Sequence, residues 1–408
     1  MPDEPIITMR DKIYRRSGHI AVAYQECVII WGGYVEHVQE TSTSPIVSQY
    51  HDTDEIWVYD RITEVWERIL TKGDIPPRNS GSCAVLLEDN LYVFGGYHGE
   101  SDPGSMEGNS NQLYRLDLTT MTWEWLHPPG PLPAACDKLV GWTYQRKLYF
   151  FGGFGPPPNV QDLVAPIPFL HILDPSTQPS GWPRGWNNQL VRYDPESNRW
   201  DWPKSHGQIP SPRAAHAADL TGDKVYVFGG RLLNRRTNDL HCLDLKTMEW
   251  SGSLVKPLDQ QPEGRSWHSF TFISPNRAVL YGGLNQFNTV LNDCWLLLIN
   301  GEECDWIEYT LPYDHGELRC WHGACNIAPD EVVIVSGLTQ PFYETRLKLK
   351  DHAEEVLVLN FTPKSLLRLC LDTVLFYGDV LYEEWDMLPR TLQKVLQLRM
   401  EQGCQRLG

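Results

Sequence analysis

The sequence predicts an all-β fold, a six-bladed β-propeller followed by a short α-helical segment. Three observations predict it. A glycine pair recurs along the chain, at Gly32-Gly33, Gly95-Gly96, Gly152-Gly153, Gly229-Gly230 and Gly282-Gly283, with Ser336-Gly337 as a degenerate sixth copy. Each of the first five is followed by a strand-like run and then a tryptophan: Trp66, Trp123, Trp200, Trp250 and Trp306. Four copies open with Arg-x-x-His, at Arg16/His19, Arg213/His216, Arg265/His268 and Arg319/His322.

The stretch from Pro210 to Trp250 shows one copy in full. Arg213 and His216 lead into Ala217 to Leu220, then a Gly-Asp turn, then the β-branched and aromatic run Val225 to Phe228, which Gly229-Gly230 stops. That reads as a hairpin. A polar loop follows, then Leu240 to Leu243 as a third strand, a turn at Asp244 to Thr247, and Trp250 at the start of a fourth. Four short antiparallel strands in about 40 residues make one propeller blade. These residues resemble the kelch repeat. In such an array the five tryptophans are core wedges between blades. The four histidines, at one position per blade, read as repeat packing rather than a ring of metal ligands.

Length and composition agree. A repeat array makes one closed domain over residues 15–360 of the 408-residue chain, flanked by an N-terminal segment (1–14) and a helical segment with a tail (361–408). The 32 glycines, 30 prolines and 16 tryptophans suit an all-β protein with many turns. A formal charge of −17 disfavours bulk attraction to nucleic acid or to an anionic membrane, so a basic cavity in this chain would be informative. Ten cysteines without a Cys-x-x-Cys pair, and a start without an apolar signal segment, point to reduced thiols in the cytoplasm and nucleus. No apolar run is long enough to span a bilayer. No metal or other cofactor is expected.

In chain order, Pro5 to Met9 reads as an orphan strand before the first repeat. The sixth repeat gives it a place. After Glu354 to Asn360, where a fourth strand belongs, the sequence turns to Pro363-Lys364-Ser365 and to helical spacing. Residues near Pro5 to Arg10 are therefore expected to complete the last blade and hide its edge. Two loops exceed the template, Val35 to Thr53 in blade one and Gly155 to Asn188 in blade three. Long loops in compact domains are functional or disordered, and the tryptophans of the second argue against disorder.

Strand direction places the candidate site. Each glycine pair ends a second strand and each Arg-x-x-His begins a first, so both positions lie at the same edge of their blade. One face therefore collects the residues after the glycines (Tyr34, Tyr97, Phe154, Arg231, Leu284, Leu338) and those opening the strands (Ser17, Asp137-Lys138, Ala215, Ser266-Trp267, Cys320-Trp321). Arg235, Arg236 and Trp186 join them from loops. A guanidinium cluster beside a serine and walled by indoles suits a carboxylate or phosphate, since arginine offers a planar fork of donors. The competing reading pairs these arginines with acids such as Asp239.

Beyond Asn360 the hydrophobic period lengthens to about 3.6. Ser365 starts a helix whose stripe carries Leu366, Leu367, Cys370, Leu371 and Val374, and a second helix is expected from Pro389 to Met400, with Leu388, Leu392 and Leu396 on one face. Ser365-Leu366-x-x-x-Cys370-x-x-x-Val374 resembles the BC box that binds elongin C. Leu388-Pro389-x-x-Leu392-x-x-x-Leu396 is similar to a cullin-2 box. From Arg16 to about Leu396 the chain resembles the kelch domain-containing protein 1/2 family, substrate receptors of cullin-2 ubiquitin ligases.

The resemblance implies a non-catalytic receptor that reads the free C-terminus of proteins ending in glycine, usually Gly-Gly, with elongin B, elongin C and cullin-2 as partners. It implies that Arg231, Arg236 and Ser266 hold the terminal carboxylate, and that Tyr34, Lys138, Phe154, Trp186, Trp267 and Trp321 wall the pocket. Phe154 departs from the family pattern, which has tyrosine there. The chain's own end, Arg406-Leu407-Gly408, raises the expectation of self-association through the same pocket. The alternatives are a non-degradative kelch scaffold that binds a protein through its loops, and a propeller enzyme, for which neither a spaced Tyr/Cys/His copper set nor a nucleophile motif is present.

Overall fold

The structure is a computed structural model, described here for residues 13, 15–38, 46–99, 108–158, 169–254, 260–311, 317–341 and 351–405. Blade four shows the unit: Ala217–Thr221, Lys224–Phe228, Leu240–Asp244 and Glu249–Ser253, antiparallel in chain order. Blade one (Ile20–Tyr24, Cys27–Trp31, Glu55–Asp60, Val65–Leu70) repeats it, as do blades two, three and five. Blades two and four gain an outermost parallel strand, Lys72–Gly73 and His206–Gln208. Blade six has three described strands, Gly323–Ala328, Glu331–Val335 and Leu357–Asn360. The strand expected from Pro5 to Arg10 lies outside the described residues. Ile13 is buried in the cluster that joins blades six and one and includes Val356 and Val358.

Two closed circuits of backbone hydrogen bonds hold the blades around the axis. In the first, one residue per blade donates its N–H to the carbonyl of its counterpart in the blade before. Gly81 donates to Gly18, Lys138 to Gly81, Ala215 to Lys138, Trp267 to Ala215, Trp321 to Trp267 and Gly18 to Trp321, at 2.7–3.2 Å. All six have φ between +54° and +67°. In the second, the last glycine of each pair donates to the residue at the arginine position of the next blade. Gly33 reaches Asn79, Gly96 Cys136, Gly153 Arg213, Gly230 Arg265, Gly283 Arg319 and Gly337 Arg16, at 2.8–3.0 Å. The glycines follow from this approach. A Cβ on Gly282, at φ +59°, would lie 2.5 Å from the Arg319 carbonyl oxygen, and one on Gly95 would lie 2.5 Å from that of Cys136.

The Arg-x-x-His arginines are interior struts. Arg213 Nη1 donates to the Gly229 carbonyl at 2.9 Å and the guanidinium forks onto Asp239 at 2.7–2.9 Å; Arg265 holds Gly282 and Asp293 in the same way. Arg16 donates to Gly32. Blades two and three put Asn79 and Cys136 at this position, which is why the motif shows only four times in the sequence.

Between blades the packing is aromatic. Trp123 meets Trp31 of the blade before it, Trp200 meets Phe94, Trp250 meets Phe151 and Trp306 meets Phe228, with ring centroids 5.0–5.3 Å apart. Trp66 is buried with Ile327 and Val333 between blades one and six, so all five tryptophans are wedges. Each of the six interfaces is one apolar cluster, the last returning to the first. His19, His216, His268 and His322 sit inside these seams. Burial, aided by the neighbouring arginines, pushes their pKa down, to about 3 for His216 and His322.

The long loops carry structure. Blade one's holds the hairpin Tyr34–Val38 with Ile46–Tyr50, and blade three's holds His171–Leu173, a 3-10 turn at Pro175–Ser180, and Gly185–Asn187. The C-terminal segment forms α1 (Leu366–Phe376), α2 (Gly378–Leu381), a 3-10 turn (Tyr382–Met387) and α3 (Arg390–Gln405). Ser365 caps α1, accepting from the Arg368 N–H, and α3 runs past the Met400 end expected for it. Leu371, Trp385 and Leu396 form the helical core. Two buried arginines fasten it to the ring. Arg368 forks onto Glu331 of blade six at 2.7 Å, and Arg399 donates to the Ile62 carbonyl of blade one at 2.8 Å and to Asp372 at 2.8 Å.

Trp250→Ala is expected to lower stability by about 3–5 kcal/mol, read by chemical denaturation. Arg368→Ala leaves Glu331 with Arg61 alone and is expected to cost about 3 kcal/mol, with the helical segment becoming protease-sensitive before the ring does. Because the buried histidines stay neutral in the folded state, the unfolded chain takes up protons first as pH falls below about 6.5. Stability is therefore expected to fall from there toward pH 3 and to be flat with respect to these groups above pH 7, as a series of denaturation curves would show.

Candidate functional site

Each first strand is extended toward the axis by one backbone pairing with the residue after its glycines. The pairs are Ser17 with Tyr34, Ser80 with Tyr97, Asp137 with Phe154, Ala214 with Arg231, Ser266 with Leu284 and Cys320 with Leu338. These twelve positions share one end of the ring, the face inferred from strand direction. Ala214 opposes Arg231, and Ala215, like Lys138, Trp267 and Trp321, belongs to the axial circuit. Ser80 and Gly81, absent from the expected set, complete it in blade two, where no Arg-x-x-His marked the strand.

Arg231 and Arg236 face each other across the two-stranded pairing of Arg231–Leu232 with Arg235–Arg236. Arg231 Nε donates to the Leu233 carbonyl at 2.8 Å, and its guanidinium lies 5.7 Å from the Trp186 ring. Arg236, 8% exposed, donates from Nε to Ser266 Oγ at 2.9 Å, while its backbone N–H goes to Gln286 Oε1 at 2.8 Å. Arg231, Asn234, Arg236, Gln286 and Asn288 line a cavity of about 410 Å³. Arg235, paired with Leu232, is exposed. Asp239, the acid considered as partner for this cluster, is engaged elsewhere. Although burial opposes it, His241 and Arg213 hold its carboxyl far below the usual range.

Next to the arginines stands an aromatic wall. Trp267 and Trp321 stack at 5.3 Å and 20°, and Tyr34 meets Trp321 edge-on at 5.6 Å. Phe154 packs on Trp186 at 5.0 Å. Lys138 Nζ lies 5.3 Å from the Trp321 ring and 5.9 Å from Phe154 and is paired with Asp137. Burial lowers its pKa, Asp137 opposes the shift, and Arg184 and Arg231 add to it. All nine residues expected at the pocket are thus joined through direct contacts on one face. Two more belong with them. Arg184 lies 4.7 Å from both the Tyr97 and Phe154 rings, and its Nη2 reaches Asp137 at 3.4 Å. The adjacent Asp137-Lys138 and the run Pro183 to Trp186 were the signals for them in the sequence.

Comparison with known proteins agrees with this architecture. Residues 18–180 and 181–365 match the KLHDC2/KLHL20/DRC7 Kelch-repeats domain. The chain belongs to this kelch-repeat family. It is 37% identical to Kelch domain-containing protein 2 of Bos taurus over 381 residues, covering 92% of this chain and 88% of that one. It is 35% identical to Kelch domain-containing protein 1 of Mus musculus over 394 residues (93% and 89%) and 26% identical to Kelch domain-containing protein 3 of Bos taurus over 386 (89% and 88%). Kelch-repeat proteins are as a rule non-enzymatic and bind other proteins.

A larger cavity in this kelch ring, about 730 Å³, lies beside the blade-one hairpin between Ile13, Tyr50 and Arg78. Its cations face acids, Arg15 toward Asp351 and Glu354 and Arg78 toward Asp52. Among the described residues no group of three or more His, Cys, Asp or Glu side chains is arranged to hold a metal.

The kelch chain's helical motif residues separate by exposure. Leu366 (77% exposed) and Cys370 point outward, and Phe376, Val380 and Met387 are exposed in the same segment. Val374 is half-buried against the helical core. Pro389 is exposed, Leu388 and Leu392 are half-buried in that core, and Leu396 is wholly buried at its centre. Leu388, Leu392 and Leu396 therefore pack into the helical core in this arrangement.

The struts and the pocket cations are expected to respond differently. Asp239→Asn leaves Arg213 short of its counter-charge and should destabilise the fold by about 2–4 kcal/mol in urea, whereas Arg235→Ala should shift it by less than about 0.5 kcal/mol.

Proposed function

We propose that this kelch protein is the substrate-recognition subunit of a ubiquitin ligase built on cullin-2, elongin B and elongin C, and that its axial face captures proteins through a free C-terminal glycine, of the Gly-Gly type. The observation that carries the reading is the pairing of Arg231 and Arg236 across one strand pair, with Ser266 bonded to Arg236, against a wall of indoles in a chain of net charge −17. Two guanidinium groups and a hydroxyl match the oxygens of one carboxylate, and each charge-assisted bond contributes about 1.5–3 kcal/mol. A terminal glycine adds no Cβ to clash with Trp267, Trp321 and Tyr34.

The helical segment supports the second half of the reading. Leu366 and Cys370 of the BC-box-like run are presented outward on a helix fastened to the ring, the arrangement an elongin C docking element needs. Ubiquitin transfer then belongs to other subunits, and the receptor works in the cytoplasm and nucleus without a cofactor.

Free-acid peptides ending in Gly-Gly are expected to bind, and their C-terminal amides to lose at least about a hundredfold in affinity. Arg231→Ala with Arg236→Ala should abolish binding with little change in melting temperature. Co-purification of elongins B and C that is lost on Leu366→Asp tests the assembly. Retention of peptide affinity in the double arginine variant would reject the pocket, and absence of elongins would leave a kelch scaffold.

A further inference from the structure

One carboxylate is built into the basic face. Asp137 is buried, pairs with Lys138 Nζ, and accepts from Arg184 Nη2 at 3.4 Å on each oxygen. Its backbone N–H and carbonyl already pair with Phe154, at 3.0 and 2.9 Å, so the strand does not need its side chain. The charged groups that face Lys138 come from three elements: Asp137 beside it, Arg184 on the long loop of blade three and Arg231 of blade four. Phe154 and Trp321, the rings it lies over, carry no charge. Arg184 Nε is buried and has no hydrogen-bond partner among the described residues.

We propose that Asp137 sets the ligand charge that the pocket accepts beside the terminal carboxylate. It is an internal anion that occupies Lys138 and Arg184, so this wall takes neutral backbone oxygens and turns away an acidic side chain just before the terminal glycine. The inference rests on the reading of this face as a C-terminal carboxylate site. Lys138 has three N–H donors and Arg184 five, so both keep donors for peptide carbonyls after binding Asp137. A second carboxylate in the same wall would stand close to Asp137 in a place shielded from water, where like charges repel strongly. Asp137 acts through Lys138 and Arg184 and is a positioning residue.

The test uses the full chain and free-acid peptides ending in glycine, with Ala or Glu at each of the three preceding positions, and binding read by fluorescence anisotropy. The wild-type protein is expected to favour Ala over Glu by at least about tenfold at one position or more. Asp137→Asn should shrink that ratio by at least about fivefold and Asp137→Glu should keep it, while Arg184→Gln, which removes a cation and spares Asp137, should enlarge it. Loss of general stability would not move the ratio.

An unchanged or larger ratio in Asp137→Asn, with both proteins binding the Ala peptide, overturns the role of Asp137 and leaves the carboxylate site standing. A wild-type preference for Glu overturns it too. Should Asp137→Asn fail to fold, Arg184→Gln on its partly exposed loop decides, and a ratio that is unchanged or reduced is the overturning result. If no free-acid glycine peptide binds the wild-type protein, this inference and the reading beneath it both fall.

Discussion

The structure depends on a circle of six backbone hydrogen bonds from Gly18 through Gly81, Lys138, Ala215, Trp267 and Trp321 back to Gly18. Each member adopts the left-handed region, and only two are glycine, so four side chains are carried in a conformation that L-residues ordinarily avoid. That strain is tolerated because neighbouring blades specify the geometry from both sides. The outcome is functional as well as structural. The circle delivers Lys138, Trp267 and Trp321 to the axis, each from a different blade, and sets the Trp267–Trp321 stack that walls the candidate pocket. No single blade could place them.

Arginine has two uses in this ring, distinguished by what closes around it. Arg213 and Arg265 are wholly interior, each forked onto an aspartate and a glycine carbonyl, and they lock the turn at the glycine pair to the start of the first strand. Arg231 and Arg236 lie at the axial face, where Arg231 donates to the Leu233 carbonyl and Arg236 to the Ser266 hydroxyl.

The helical segment has a related division. Arg368 and Arg399 spend their charge on Glu331, Glu64 and Asp372 under the ring, while Leu371, Trp385 and Leu396 make a small core of their own. This fastening lets α1 present Leu366 and Cys370 outward without relying on them for stability. An apolar face held rigidly on the side of a propeller has its ordering cost met before any partner arrives.

The chain's repeats were legible because most blades solve the same packing problem with the same residues: glycines where backbones from adjacent blades approach, tryptophan where a wedge fills the seam, arginine where a turn needs its carbonyl satisfied. The face that carries the candidate site was legible from strand direction alone, and the helix start from Ser365. The sequence missed Ser80 and Gly81 because blade two replaces Arg-x-x-His with residues that make the same backbone bonds through different side chains. It left Arg184 in a loop without periodicity to place it. Which acids neutralise which arginines, and whether the leucines of α3 face inward or out, depends on contacts between residues distant in the chain. Those pairings exist only once the ring is closed, so tertiary structure alone assigned Asp239 to Arg213, Asp137 to Lys138 and Arg184, and Leu396 to the helical core.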